Sequence, residues 1–156
     1  MAVKPVPERY HTVTPYLAVD DAKAAIDFYE RAFGARERSR MPGPDGKIAH
    51  AELEIGDSIV MLSDPFPQSN VRPPKELGGT TGALFMYVED VDEIVQQAID
   101  AGATVTMPVE DQFWGDRFGS VTDPFGHQWQ IATHVEDLTP EEIEKRGQEA
   151  LASMMG

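Results

Sequence analysis

Apolar residues along the chain switch between two spacings, and the switch points mark the elements. Thr12–Val19 is rich in β-branched and aromatic residues, the composition of a strand. Asp20-Asp21 then offers an N-cap, and Ala22, Ala25, Ile26, Tyr29 and Phe33 follow at the spacing of one helix face. Gly34 stands where a glycine ends a helix. Ala35–Met41 reads as a strand and Pro42–Gly46 as a turn cluster. Ile48–Ile55 and Ser58–Ser63 read as strands around a Gly56-Asp57 hairpin turn. The first half is therefore β-α-β-β-β.

The second half repeats that order. Leu84–Val88 is a predicted strand, and Asp90 caps a helix with Glu93 placed for a capping box. Val91, Ile94, Val95 and Ala98 form the helix stripe, which Gly102 ends. Thr104–Val109, Arg117–Thr122 and His127–His134 complete the set, the last two flanking the turn Asp123-Pro-Phe-Gly126. Val19-Asp20-Asp21 matches Val88-Glu89-Asp90 at an offset of 69, and Gly34-Ala35 matches Gly102-Ala103 at 68. The hairpin centres also lie 68 apart, which argues for internal duplication.

The chain then divides into a lead-in (1–9), a first module (10–63), a linker or lid (64–81), a second module (82–134) and a C-terminal helix segment (135–156). Thr139-Pro140-Glu141-Glu142 supplies the N-terminal signals of that helix, and Ile143, Ala150, Leu151 and Met154 share a face. The face either docks on its own domain or contacts a second copy. Two small modules cannot each bury both faces of a sheet. The expected fold is α+β: two βαβββ modules forming an open, curled mixed sheet (a cup) with helices outside, plus the C-terminal helix. Such a cup is a natural pocket for a small molecule.

Composition narrows the chemistry. In 156 residues there is no cysteine, so thiolate metal sites, disulfides and cysteine nucleophiles are excluded. Metal ligation falls to carboxylates and four histidines. The formal charge of −14 opposes nucleic acid and anionic membrane as partners. No apolar run reaches the roughly 18 residues of a membrane span, and no leader pattern is present, so the expected location is the cytoplasm.

Three strings carry a resemblance: Pro15-Tyr-Leu-Ala-Val-Asp-Asp21; Ala25-Ile-Asp-Phe-Tyr29 with Phe33-Gly34-Ala35; and Asp123-Pro-Phe-Gly-His-Gln-Trp129. With the duplication, they resemble the vicinal-oxygen-chelate superfamily of glyoxalase I, extradiol dioxygenases, fosfomycin-resistance enzymes and bleomycin-binding proteins. Ile48-Ala-His-Ala-Glu52 and Phe113-Trp-Gly-Asp-Arg-Phe-Gly119 are similar to its PhnB-like subgroup. The resemblance implies a divalent metal held by His and Glu on the first and last strands of each module. Carried over by motif, those positions fall at Thr14, Met61, Ala83 and Gln130. Ala and Met are not hard-metal ligands, and Thr and Gln are weak ones, so no metal site and no cofactor are expected. The resemblance also implies a homodimer, with the cup built from modules of one chain or of two.

Pairing about Gly56-Asp57 places Glu52 opposite Met61 and puts His50 on the same face. Pairing about Pro124-Phe125 places Gly119 opposite Gln130 and Arg117 opposite Ala132, making Arg117 the counterpart of His50 in the cup. Thr14, Tyr16, Phe85 and Tyr87 share the cup face, and Trp114 stands at the rim. His11, His127 and His134 lie at strand ends or turns and are read as structural. Two functions fit. One is a metal-free cup that binds a small, anionic organic molecule through Arg117, with Thr14, Tyr16, Met61, Phe85, Trp114 and Gln130 lining it. The alternative is a glyoxalase-like lyase, isomerase or dioxygenase using His50 and Glu52 as acid and base, or as part of a relocated metal site. Whether the protein is an enzyme stays open between the two.

Overall fold

A computed structural model describes residues 2–156; Met1, the first residue of the expected lead-in, lies outside them. The first module comprises β1 (Tyr16–Ala18), α1 (Ala22–Phe33), β2 (Arg36–Pro42), β3 (Ile48–Ile55) and β4 (Ser58–Ser63). A short helix, α2 (Pro74–Leu77), interrupts the linker. The second module comprises β5 (Ala83–Tyr87), α3 (Val91–Ala101), β6 (Thr104–Asp111), β7 (Asp116–Thr122) and β8 (Gln128–His134), and α4 (Pro140–Met155) follows. The fold is α+β, with two βαβββ modules of mixed sheet. Strand order is β1-β4-β3-β2 in one sheet and β5-β8-β7-β6 in the other.

The duplication is structural as well as sequential. Tyr16 pairs with Met61 across the parallel β1–β4 ladder, and Phe85 pairs with Gln130 across β5–β8; both residues are displaced by the same 69 positions. Asp21 caps α1 by accepting from the Ala24 amide, and Asp90 caps α3 by accepting from the Glu93 amide. Gly34 closes α1 in the left-handed region at φ 67°, where a side chain would be strained. The first amide of each helix also has a side-chain acceptor at matching positions: Asp64 Oδ1 for Ala22 at 2.9 Å and Thr133 Oγ1 for Val91 at 2.9 Å.

The helices bring the two sheets' inner faces into one core. On α1, Phe28 lies edge-on to Phe125, and Phe33 lies 4.7 Å from Trp129, both in the second module. Tyr29, fully buried, donates its hydroxyl to Asp123 across the same boundary. Leu53, Val60 and Leu62 of the first sheet and Val121, Trp129 and Ile131 of the second join this core. The sheets share no ladder. The open mixed sheet consists of these two four-stranded halves, neither closed on the other, and Tyr16, Phe85 and Tyr87 on their open faces are exposed.

The β7–β8 register departs from expectation. The closing pair is Thr122↔Gln128, so the loop spans Asp123–His127, five residues rather than a tight turn. Its amides fold onto Asp123, whose Oδ1 accepts from Phe125 and His127 at 2.9 Å each. One residue of slip reverses the faces of β7. Ser120, not Gly119, lies opposite Gln130, and Phe118, not Arg117, lies opposite Ala132. The hairpin centred on Gly56-Asp57 matches expectation, with Glu52 opposite Met61.

Candidate functional site

The open face of the first sheet carries a chain of polar side chains. Alternation along β3 buries Ala51 and Leu53 in the core and turns His50, Glu52 and Glu54 outward. Tyr16 Oη lies 3.0 Å from His50 Nδ1, and His50 Nε2 lies 2.9 Å from Glu52 Oε2. Tyr10, from the lead to β1, donates its hydroxyl to the other Glu52 oxygen. Burial pushes the Glu52 carboxyl up, but the hydrogen bonds from His50 and Tyr10 outweigh it and hold the group below the usual glutamate range. The same bond to Glu52 raises the Tyr10 phenol, so that proton stays on Tyr10. Tyr10 was not among the residues the sequence singled out; it precedes the predicted strand, where no periodicity marks it.

The open face of the second sheet is aromatic and organised by one carboxylate. Asp116, 2% exposed, accepts from Tyr87 Oη and Trp114 Nε1 at 2.9 Å each on Oδ2, and its Oδ1 lies 2.9 Å from His134 Nδ1. Burial raises Asp116, but the bonds to His134, Tyr87 and Trp114 together hold it below the normal aspartate range. Around this hub Phe85 stacks on Phe118 at 5.8 Å, Tyr87 leans on Phe85 at 5.1 Å and Trp114 meets Phe118 edge-on at 5.7 Å. Phe85 is 46% and Tyr87 63% exposed, so the platform is fixed underneath and free above. Asp116 and Phe118 were hidden by the register slip; centring the β7–β8 hairpin on Phe125 brings both onto this face. His134, read as structural from sequence, is part of the hub.

Arg117 does not line an open face. It points to the helix side of its sheet, where Nε and Nη2 grip Asp92 of α3 at 2.7 and 3.1 Å and Nη1 reaches Asp111 at 3.1 Å. It is the lock between β7 and the start of α3, not the positive group of an open face. Of the other candidates, Met61 and Gln130 are half-buried opposite Tyr16 and Phe85 respectively. Thr14 lies before β1, with its hydroxyl donated to the His11 carbonyl at 3.0 Å.

The metal positions that the resemblance implies, Thr14, Met61, Ala83 and Gln130, do not fit an ion. They hold a hydroxyl already engaged, a thioether, a methyl and an amide. Among the described residues no three His, Asp or Glu side chains are grouped to hold a metal elsewhere. A cleft of about 1310 Å³ runs along β5 and is lined by Phe33, Val60, Leu84, Phe85, Tyr87 and Trp129 with others. It joins the aromatic platform to the boundary between modules. No helix is long and apolar enough to cross a membrane among the described residues.

Two βαβββ modules of this topology define a class. Residues 9–131 match the family model of the Glyoxalase/Bleomycin resistance protein/Dioxygenase superfamily, and the chain belongs to that superfamily. An uncharacterized protein of Mycobacterium bovis is 49% identical over 135 residues, covering 85% of this chain and 89% of that protein. The crystal structure of TioX from Micromonospora sp. ML1 is 33% identical, covers 80% of this chain and 99% of its own, and superposes with a TM-score of 0.64. The PhnB protein of Bacillus cereus, 19% identical, shares the fold at a TM-score of 0.60 over 79% of this chain and 99% of its own.

Proposed function

We propose that the protein binds a small organic molecule on its open faces without a divalent metal, and that a second copy of the chain completes the cup. The observation that carries this reading is the aromatic cluster of Phe85, Tyr87, Trp114 and Phe118, set on the buried Asp116, with Phe85 and Tyr87 exposed on its outer side. Preorganised aromatic side chains bind apolar and planar groups at little entropic cost. The absence of a shared ladder, with β1 and β5 each at the end of its sheet, supports assembly of a cup from two chains.

A second reading is favoured by the His50–Glu52 pair: a glyoxalase-like lyase or isomerase in which an ionised Glu52, 2.9 Å from the ring, orients His50 as acid or base. As a metal site the pair is two ligands, short of the three protein ligands typical of a catalytic metal.

Calorimetry on chelator-treated protein against a panel of planar metabolites and antibiotics tests both. Metal-independent binding that weakens about tenfold in Trp114→Ala is expected. No binding across the panel would overturn the first reading. Near-stoichiometric Ni, Zn, Fe or Mn in untreated protein, lost in His50→Ala, would favour the second.

A further inference from the structure

With Arg117 turned to α3, the open faces lack the cation that the sequence assigned to them, yet the first sheet supplies another. Strand β2 reads Arg36-Glu37-Arg38-Ser39-Arg40, and its pairing with β3 slips between Glu37, opposite Leu53, and Ser39, opposite Glu52. Arg38 is the extra residue of a bulge, without a partner on β3. Bulges of this kind re-aim a side chain. Here the guanidinium carbon lies over the Tyr10 ring, 5.4 Å from its centroid. Tyr10 in turn donates to Glu52, which faces outward beside His50. The bulge thus carries Arg38 onto the open face, next to the Tyr16–His50–Glu52 chain.

Arg38 is also the one arginine among the described residues with no carboxylate within 4.0 Å. In a chain with 27 acidic and 13 basic residues that is unusual, and its charge acts at longer range on the Tyr10 phenol and the Glu52 carboxylate. Its neighbours on the same face, Arg9 and Arg36, both spend their charge on Glu54. Counting Arg9, Arg36 and Arg38 against Glu52 and Glu54, this patch is locally positive although the whole molecule is strongly negative. Its place over the Tyr10 ring positions the guanidinium before any ligand arrives, which lowers the ordering cost of binding.

We propose that Arg38 is the anion-holding group of the first sheet's open face, and that the molecule bound there carries a planar or tetrahedral oxyanion, a carboxylate or a phosphonate. This rests on the reading that the open faces bind a small molecule, and it names the charged end of that molecule.

The test is calorimetric titration of the full-length chain with benzoate, phenylphosphonate and the neutral analogue benzamide. The wild-type protein binds at least one anion more tightly than benzamide. Arg38→Gln weakens that anion by tenfold or more and leaves benzamide within about twofold. Arg38→Lys, which keeps the charge and loses the fork, weakens it by a smaller factor. Arg36→Gln, on the same face but engaged with Glu54, stays within about twofold. Anion affinity unchanged in Arg38→Gln while the probes still bind overturns the assignment and leaves the binding reading standing. Equal losses in Arg36→Gln and Arg38→Gln overturn it too, since the effect is then diffuse. If neither anion binds the wild type more tightly than benzamide, or none of the three binds at all, the assignment of Arg38 falls, while the binding reading is decided by the wider panel.

Discussion

His134 stands between two carboxylates, with Nδ1 2.9 Å from Asp116 and Nε2 2.7 Å from Asp137. Both ring nitrogens therefore meet acceptors, and the bond to Asp116 first, then that to Asp137, raises its pKa above the ordinary histidine value. Because the folded value lies above the unfolded one, the stabilisation is fully present below about pH 6.5 and fades as pH rises through the folded value. His134→Gln is expected to lower the thermal midpoint more at about pH 6 than at about pH 9. Equal losses at both would show that no proton is taken up on folding. Asp116 works in the opposite direction. Its folded value is depressed, so its contribution is present above about pH 3.9 and is lost as acid brings the pH down through the folded value. One hydrogen-bond hub thus ties the aromatic platform to two titrations of opposite sign.

The element that most shapes the molecule is the five-residue loop between β7 and β8. Asp123 is 4% exposed and gathers two loop amides, the Tyr29 hydroxyl and the Trp129 indole at 3.0 Å. Asp123→Ala strands these buried donors and is expected to cost roughly 3–5 kcal/mol in chemical denaturation, against about 1 kcal/mol for Tyr29→Phe. A loss under 1 kcal/mol for Asp123→Ala would mean water replaces the carboxylate. The same loop explains what could be read from sequence. The module helices α1 and α3, their caps and the succession of the eight strands along the chain followed from local spacing and local capping chemistry, as at Asp21, Gly34 and Asp90, whereas the short α2 in the linker did not. The faces of β7 did not, because Asp-Pro-Phe-Gly suggests a tight turn, whereas Asp123 uses its side chain to enclose one more residue. Arg38 was illegible for the same kind of reason: a bulge is a property of the pair of strands, and β2 alone gives no sign of it. The short β1 also differs from the longer predicted strand, since Thr12 and Thr14 lie before it.

At the scale of the whole chain, the helices bind the modules through one core and leave each open face turned outward. The C-terminal α4 buries none of its residues, and Leu151, Met154 and Met155 along it are exposed; Arg146 fastens it to Glu136 with two bonds at 3.0 and 3.1 Å. Gly115, at φ 101°, lets the loop bearing Trp114 pass against the Glu136 carbonyl, where a Cβ would sit 2.4 Å from the oxygen. If a second copy completes the cup, light scattering at micromolar concentration gives twice the 17.2 kDa chain mass; a single-chain mass would contradict it. One face is polar and holds Arg38; the other is aromatic and rests on Asp116. A molecule that touches both walls across two chains would be shared property of the pair. Its binding and the pairing of chains would then be linked by mass action, each strengthening the other by the same coupling free energy. Such a protein would release its cargo on dilution, without any change in the shape of either wall.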